Sequence, residues 1–198
     1  QKAKFFVELH NESDLAEIFT TLEFKNCPKL FLGGGSNVLF TKDFEGLVIL
    51  NKIKGIEILK GDSVAFPPCR RTGSRDFVWI KAQGGEVWHD LVNFTVERNY
   101  WGLENLSLIP GSVGAAPMQN IGAYGVELKD VLESVEVFDI KTGEKKVLKN
   151  SECEFGYRNS IFKNKFKNKY FISSITIKLS KKEIASSAIC REGGKDKN

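Results

Sequence analysis

Ile109-Pro110-Gly111-Ser112-Val113-Gly114-Ala115-Ala116-Pro117-Met118-Gln119-Asn120-Ile121-Gly122-Ala123-Tyr124-Gly125 gathers four glycines and two prolines into one run. Small residues at Gly111, Gly114, Ala115 and Ala116 let a flat or bulky ligand lie directly against backbone, and would equally let chain pack on chain. Pro117 suits the first turn of a short helix whose free N–H groups attract phosphate, with Gln119 and Asn120 supplying polar groups nearby. A second glycine phrase lies upstream, Leu32-Gly33-Gly34-Gly35-Ser36-Asn37-Val38-Leu39, directly after the apolar run Leu30 to Leu32. Glycines there let backbone N–H groups approach an anion closely, and Ser36 and Asn37 can add side-chain donors; a bare tight turn has the same composition. The phrase lacks the Gly-Lys-Ser/Thr of a Walker A loop and the GxGxxG opening of a dinucleotide-binding helix.

Outward from these phrases the chain alternates short elements. Leu15, Ile18, Phe19 and Leu22 recur at helical spacing behind Asn11 and Ser13, with Asp14 and Glu17 near the positive end, predicting an amphipathic helix. Leu30 to Leu32 and Leu47 to Leu50 read as strands. Ile56 and Ile58 flank Glu57, and Val78 and Ile80 alternate with Trp79 and Lys81, predicting strands able to pair as a hairpin. Between them Gly61 to Arg75, with Pro67, Pro68, Cys69, Arg70 and Arg71, has no periodicity and reads as an exposed insertion. Val87, Trp88, Leu91, Val92 and Val96 share one helical face, with Glu86 in the first turn. Val135 and Val137 alternate around Glu136, Gly143 marks a turn, and Ser173, Ile175, Ile177 and Leu179 share one face of a late strand. Ile184 to Asn198 is polar and aperiodic and reads as a disordered tail. No repeat appears and the elements do not alternate regularly enough for a doubly wound parallel sheet, so the fold class is α+β.

Composition narrows the function classes. With 41% hydrophobic and 27% charged residues and a net charge of +4, the 198-residue chain reads as an ordinary globular protein. No apolar run approaches the ~20 residues of a membrane span, and Gln1 to Leu9 lacks a secretory h-region, so the cytoplasm is the expected location. Cys27, Cys69, Cys153 and Cys190 lie far apart with only His10 and His89 to join them, so no metal is expected. Lys163, Lys165, Lys167 and Lys169 alternate through an aromatic run; at this net charge a solvated lysine face is favoured over nucleic-acid binding. His89, with no carboxylate or cysteine at ligand spacing, reads as structural.

Four phrases in order, Leu32 to Phe40 (LGGGSNVLF), Gly102 to Gly114 (GLENLSLIPGSVG), Gln119 to Gly125 (QNIGAYG) and Phe155 to Phe162 (FGYRNSIF), resemble the UDP-N-acetylenolpyruvoylglucosamine reductases, the MurB family. The resemblance covers nearly all of Ala3 to Leu179 apart from 61–75. It implies a two-lobed FAD-binding domain of the vanillyl-alcohol-oxidase/PCMH type, with lobe 1 at 1–55, lobe 2 at 56–180 and a tail at 181–198. It also implies NADPH-dependent, FAD-mediated reduction of UDP-N-acetylenolpyruvoylglucosamine to UDP-N-acetylmuramate in peptidoglycan precursor synthesis. By the same resemblance Gly33, Gly34, Gly35, Ser36, Asn37, Val38 and Leu39 hold the pyrophosphate. Ile109, Pro110, Gly111, Gly114, Ala115, Gln119, Gly122 and Ala123 line the adenosine and flavin path. Arg158 matches the family's catalytic arginine, and a fixed guanidinium is the residue type suited to negative charge accumulating on the substrate carboxyl portion. A surface ion pair with Glu152 or Glu154 is the plainer reading of that arginine. Tyr124 and Tyr157 would line the substrate pocket.

The chain departs from the family at both ends. The proton-donating serine phrase, the assisting glutamate, the C-terminal substrate-binding lobe and the opening Asn-Thr-Phe-Gly phrase find no match, so the chain reads as truncated. The alternative expectation is therefore an FAD- or nucleotide-binding fragment without turnover.

Overall fold

A computed structural model describes residues 1–25, 27–59 and 76–183; the insertion expected at 61–75 and the tail expected at 184–198 lie outside the described residues. Two sheets organise these residues. The first contains β1 (Ala3–Leu9), β2 (Lys29–Leu32) and β3 (Phe44–Asn51), parallel and in the order β1-β3-β2. Parallel strands of one sheet need a crossover connection. Helices α1 (Asp14–Thr20) and α2 (Leu22–Lys25) provide it between β1 and β2. Leu15, Ile18 and Phe19 point inward as expected and join Leu9, Leu47, Ile49 and Ile53 in one core. Leu22 does not: it is 84% exposed, because Thr21 leaves the helix at ψ 122 and resets the helical register.

The second sheet is antiparallel and comprises β4 (Ile56–Leu59), β5 (Phe77–Gln83), β8 (Leu132–Asp139), β9 (Lys145–Lys149) and β10 (Tyr170–Ser180), in the order β4-β5-β10-β8-β9. The expected β4–β5 hairpin partners do pair, with Ile58 opposite Ile80. A two-stranded ribbon, β6 (Gly122–Ala123) and β7 (Val126–Glu127), stands apart. Central β10 is buried along most of its length, and α3 (Trp88–Val96) packs Trp88, Leu91, Val92 and Thr95 into the same core. Val87 and Val96, expected on that inner face, are about half exposed. Glu86 precedes the helix rather than entering its first turn; its carboxylate instead accepts the Gly55 N–H at 2.7 Å and pairs with Lys54 at 3.2 Å, clamping the start of β4.

The sheets are joined tightly. Phe171, at the start of β10, buries its ring in the first core with its centroid 5.1 Å from that of Phe31. At the end of β5 the chain passes so close to its neighbours that a Cβ on Gly84 would lie 2.7 Å from Asn51 Nδ2 and 2.8 Å from the Ile172 carbonyl, which only glycine permits. Lys145 bridges Glu12 ahead of α1 (2.9 Å) and Glu136 on β8 (3.0 Å), while Lys81 meets Glu136 from β5 at 2.7 Å. Burial alone would raise the Glu136 carboxyl, but the hydrogen bonds and charges of Lys81 and Lys145 outweigh it and hold the group below the usual carboxylate range.

Candidate functional site

The glycine phrases, far apart in sequence, face each other. β2 delivers Gly33 to Asn37 onto the segment that follows Pro110. A Cβ on Gly33 would lie 2.0 Å from Ser112 Oγ, and one on Gly34 would lie 3.7 Å from Gly111 Cα. The opposing segment is held rigidly: Val113–Gln119 forms a 3₁₀ turn whose Val113 N–H donates to the Glu86 carbonyl (2.9 Å) and Gly114 N–H to the Gly84 carbonyl (2.8 Å). The Ala115 N–H donates to the Ser112 carbonyl at 3.0 Å. These bonds revise two expectations. Pro117 sits inside the 3₁₀ turn rather than in its first turn, and the leading amides are already engaged by protein carbonyls. This segment therefore contributes a wall of small residues, and the leading amides of its turn are not available to an anion.

Contiguous depressions of about 200, 310, 530 and 770 Å³ follow the junction as one trough. At one end it is apolar and aromatic, between Phe31, Phe162, Phe166 and Tyr170. In the middle Gly33, Gly34, Gly35, Ser36, Asn37 and Val38 oppose Ile109, Pro110, Gly111, Ala115 and Gln119. Gly114 lines the apolar end, and Gly122, Ala123, Tyr124, Tyr157 and Arg158 line the other. Leu39 is not among the lining residues; its side chain is 88% exposed.

The far end is built from two tight turns. Between β6 and β7, Tyr124 and Gly125 both adopt positive φ, 52° and 80°, as a two-residue hairpin turn of the primed type requires. Gly156 and Asn159 exchange hydrogen bonds of 3.0 and 3.1 Å, leaving Tyr157 and Arg158 at the tip, with Arg158 at φ 49°. A bulky residue in the left-handed region stores strain, which clusters at functional sites. Asn120, quoted above as a polar group for a ligand, is instead buried: its Nδ2 donates to the Gly156 carbonyl (3.1 Å) and its Oδ1 accepts the Lys129 N–H (3.0 Å). Ser160 adds a bond from its hydroxyl to the Met118 carbonyl at 2.7 Å. The Arg158 guanidinium enters no ion pair among the described residues; Glu154 is taken by Lys165 at 2.8 Å. His89 supports the rim, its Nδ1 accepting the Leu108 N–H at 3.3 Å.

Ser112 and Lys163 also line the trough. Ser112 is buried between the loops and its Oγ has no hydrogen-bond partner among the described residues. Lys163, read as part of a solvated face, lines the middle of the trough. Ser112 lay inside the quoted phrase, but a serine among glycines does not reveal that its hydroxyl is left unmatched. Among the described residues no group of three or more His, Cys, Asp or Glu side chains is arranged to hold a metal ion, and no helix is long and apolar enough to cross a membrane.

A family profile described as FAD binding domain matches residues 3–148. A UDP-N-acetylenolpyruvoylglucosamine reductase from Flavobacterium johnsoniae is 49% identical over 181 residues, covering 91% of this chain and 50% of the relative. Among solved structures, the corresponding reductase (MurB) from Thermus caldophilus superposes with a TM-score of 0.63 at 26% identity, covering 94% of this chain and 58% of that one. p-Cresol methylhydroxylase, crystallised with substrate bound, shares the fold at a TM-score of 0.55 and 15% identity, covering 88% of this chain and 35% of that one. The fold is therefore of the vanillyl-alcohol-oxidase/PCMH type, and the resemblance read from the four phrases extends across most of the chain. The chain spans about half the length of the curated relatives it matches.

Proposed function

We propose that this chain, which belongs to the FAD-binding domain family, holds FAD in the trough between a first lobe at 1–55 and a second at 56–180, and serves a reductase acting on UDP-N-acetylenolpyruvoylglucosamine. The observation that carries this reading is the unpartnered Ser112 hydroxyl buried where the two glycine loops meet. A buried hydroxyl without a partner costs roughly 1–3 kcal/mol, and a ligand oxygen lying in the adjoining cavity would remove that cost. The surroundings fit a dinucleotide: a backbone cradle that a Cβ on Gly33 would fill, an aromatic recess for a flat ring at one end, and a continuous path to the other.

In this reading Gly33 to Asn37, with Ser112, hold the diphosphate, while Val38, Ile109, Pro110, Gly111, Gly114, Ala115, Gln119, Gly122 and Ala123 line the rest of the path. Leu39 would contribute backbone only. Bound FAD would supply hydride chemistry, with NADPH as reductant. At the far end Arg158 offers paired donors to the carboxylate of an enolpyruvyl ether, where negative charge grows as the double bond is reduced. Among the described residues no carboxylate pairs with Arg158, which leaves its charge unspent. Tyr124 and Tyr157, each 88% exposed on a tight turn, would flank the substrate. Peptidoglycan precursor synthesis and a cytoplasmic location belong to the same reading.

A second reading, FAD binding without turnover, is favoured by the openness of that end: Tyr124, Tyr157 and Arg158 face solvent. Anaerobic addition of NADPH to the FAD-loaded chain, followed by the enolpyruvyl substrate, separates the two. Bleaching of the flavin band and formation of UDP-N-acetylmuramate support the reductase. A loaded chain that forms no product refutes turnover by this chain.

A further inference from the structure

Lys163 is placed where neither its surface exposure nor its position in a lysine-rich run would suggest. Ile161 and Phe162 are buried immediately before it, and its N–H donates to the Ser160 carbonyl at 3.2 Å, so the side chain stands on an anchored segment. Its ammonium donates to the Arg158 carbonyl at 3.0 Å. It is also the one charged side chain among the described residues lining the middle of the trough, opposite Gly33 to Asn37. No carboxylate pairs with it among the described residues, unlike neighbouring Lys165, which is held by Glu154. An ammonium has three donors; with one on the Arg158 carbonyl, two remain for an anion in the cradle.

We propose that Lys163 is the cation that recognises the diphosphate of the bound dinucleotide and that, through the Arg158 carbonyl, it ties occupancy of the cradle to the strained turn that presents Arg158. This rests on the FAD reading above. Among the described residues the cradle otherwise offers neutral donors, the backbone amides of a glycine loop and the hydroxyl or amide groups of Ser36, Asn37, Ser112 and Gln119, and a diphosphate brings negative charge that such donors stabilise less strongly than an ammonium does. Arg158 at φ 49° occupies a conformation that needs external support. One such support is the bond from Lys163. A ligand that fixes the ammonium therefore also fixes the carbonyl it holds, and the phosphate-binding and arginine-bearing parts of the trough respond together. Lys163 is a ligand contact toward the diphosphate and a positioning residue toward Arg158.

The test uses FAD with the full chain and the variants Lys163→Met, Lys163→Gln and Lys163→Arg, with Lys165→Met as a control. Flavin fluorescence titrations give affinity at low and high potassium chloride, and hydrogen exchange follows residues 156–160 with and without FAD. The expected result is an affinity loss of about tenfold or more at low salt for Lys163→Met and Lys163→Gln, as removal of one charge-assisted hydrogen bond gives. Their salt dependence should be flattened, Lys163→Arg should bind close to the unaltered chain, and Lys165→Met should be unchanged. Saturating FAD should slow exchange at 156–160 in the unaltered chain and not in Lys163→Met. Equal affinity and equal salt dependence in all four variants would overturn the inference while leaving FAD binding intact. If the unaltered chain itself takes up no FAD, the functional reading fails and this inference with it.

Discussion

Gly33→Ala probes the contact on which the trough depends. The added methyl would stand 2.0 Å from Ser112 Oγ and 3.0 Å from Ser112 Cβ. Rotation of the serine hydroxyl relieves the first clash, but the Cβ–Cβ approach remains well inside the ~3.5–4.0 Å of carbon van der Waals contact. The loops must then separate by roughly half an ångström or more, and overpacking of this kind costs about 1–3 kcal/mol. For a chain of this size each kcal/mol lowers Tm by about 2–4 °C. The same separation spoils the cradle, so FAD affinity should fall by about tenfold for each 1.4 kcal/mol of the strain that binding must reverse. The companion change Ser112→Gly removes both offending atoms, so the double variant Gly33→Ala/Ser112→Gly should recover most of the lost Tm; thermal denaturation of the three variants measures that coupling. A Gly33→Ala chain with unaltered Tm and FAD affinity would refute the close approach, as would a double variant no more stable than the sum of the single changes.

Other outcomes follow from the same geometry. Ser112→Ala removes a hydroxyl that has no partner, so the FAD-free chain should gain stability of up to about 1 kcal/mol by urea denaturation while FAD binds more weakly; loss of stability would contradict the orphaned state. Glu136 titrates below the ordinary carboxylate value, so its contribution is full above about pH 4.3 and disappears as pH falls through its lowered folded value. Glu136→Gln should cost about 1–3 kcal/mol near neutrality and give a flatter acid limb in urea midpoints measured against pH. Burial, with a smaller contribution from the Glu152 charge, pushes the Cys153 thiol up to about 12. Iodoacetamide at pH 8 should therefore leave the Cys153 peptide unmodified in the folded chain and alkylate it only after denaturation.

Legibility in the sequence followed the range of the interactions. Leu15, Ile18 and Phe19 declared their helical face because that pattern is local, and Ile58 and Ile80 declared strands whose pairing survives the intervening segment. Leu22 failed because the Thr21 break shifts phase by a fraction of a turn that side-chain spacing does not encode. Glu86 looked like a first-turn acid because helix starts are uncertain by a residue or two; the carboxylate is committed to Gly55, a partner 31 positions away. The two glycine phrases were recognisable as backbone-approach segments, yet nothing local shows Gly33 lying against Ser112 or the Gly114 amide spent on Gly84. Likewise Lys163 and Lys165 have similar sequence surroundings, and only tertiary contacts give one to the trough and the other to Glu154. Tyr124 and Arg158 occupy positive-φ positions where glycine is the usual signal, so their turns were invisible to composition.

A crystal structure of the chain at saturating FAD would show whether the trough between the two glycine loops is an FAD site. The expected result is the diphosphate within hydrogen-bond distance of the Gly33 to Asn37 backbone and the Ser112 hydroxyl. FAD bound at another surface, or loops Gly33–Asn37 and Gly111–Ser112 closed on each other without ligand, would contradict it.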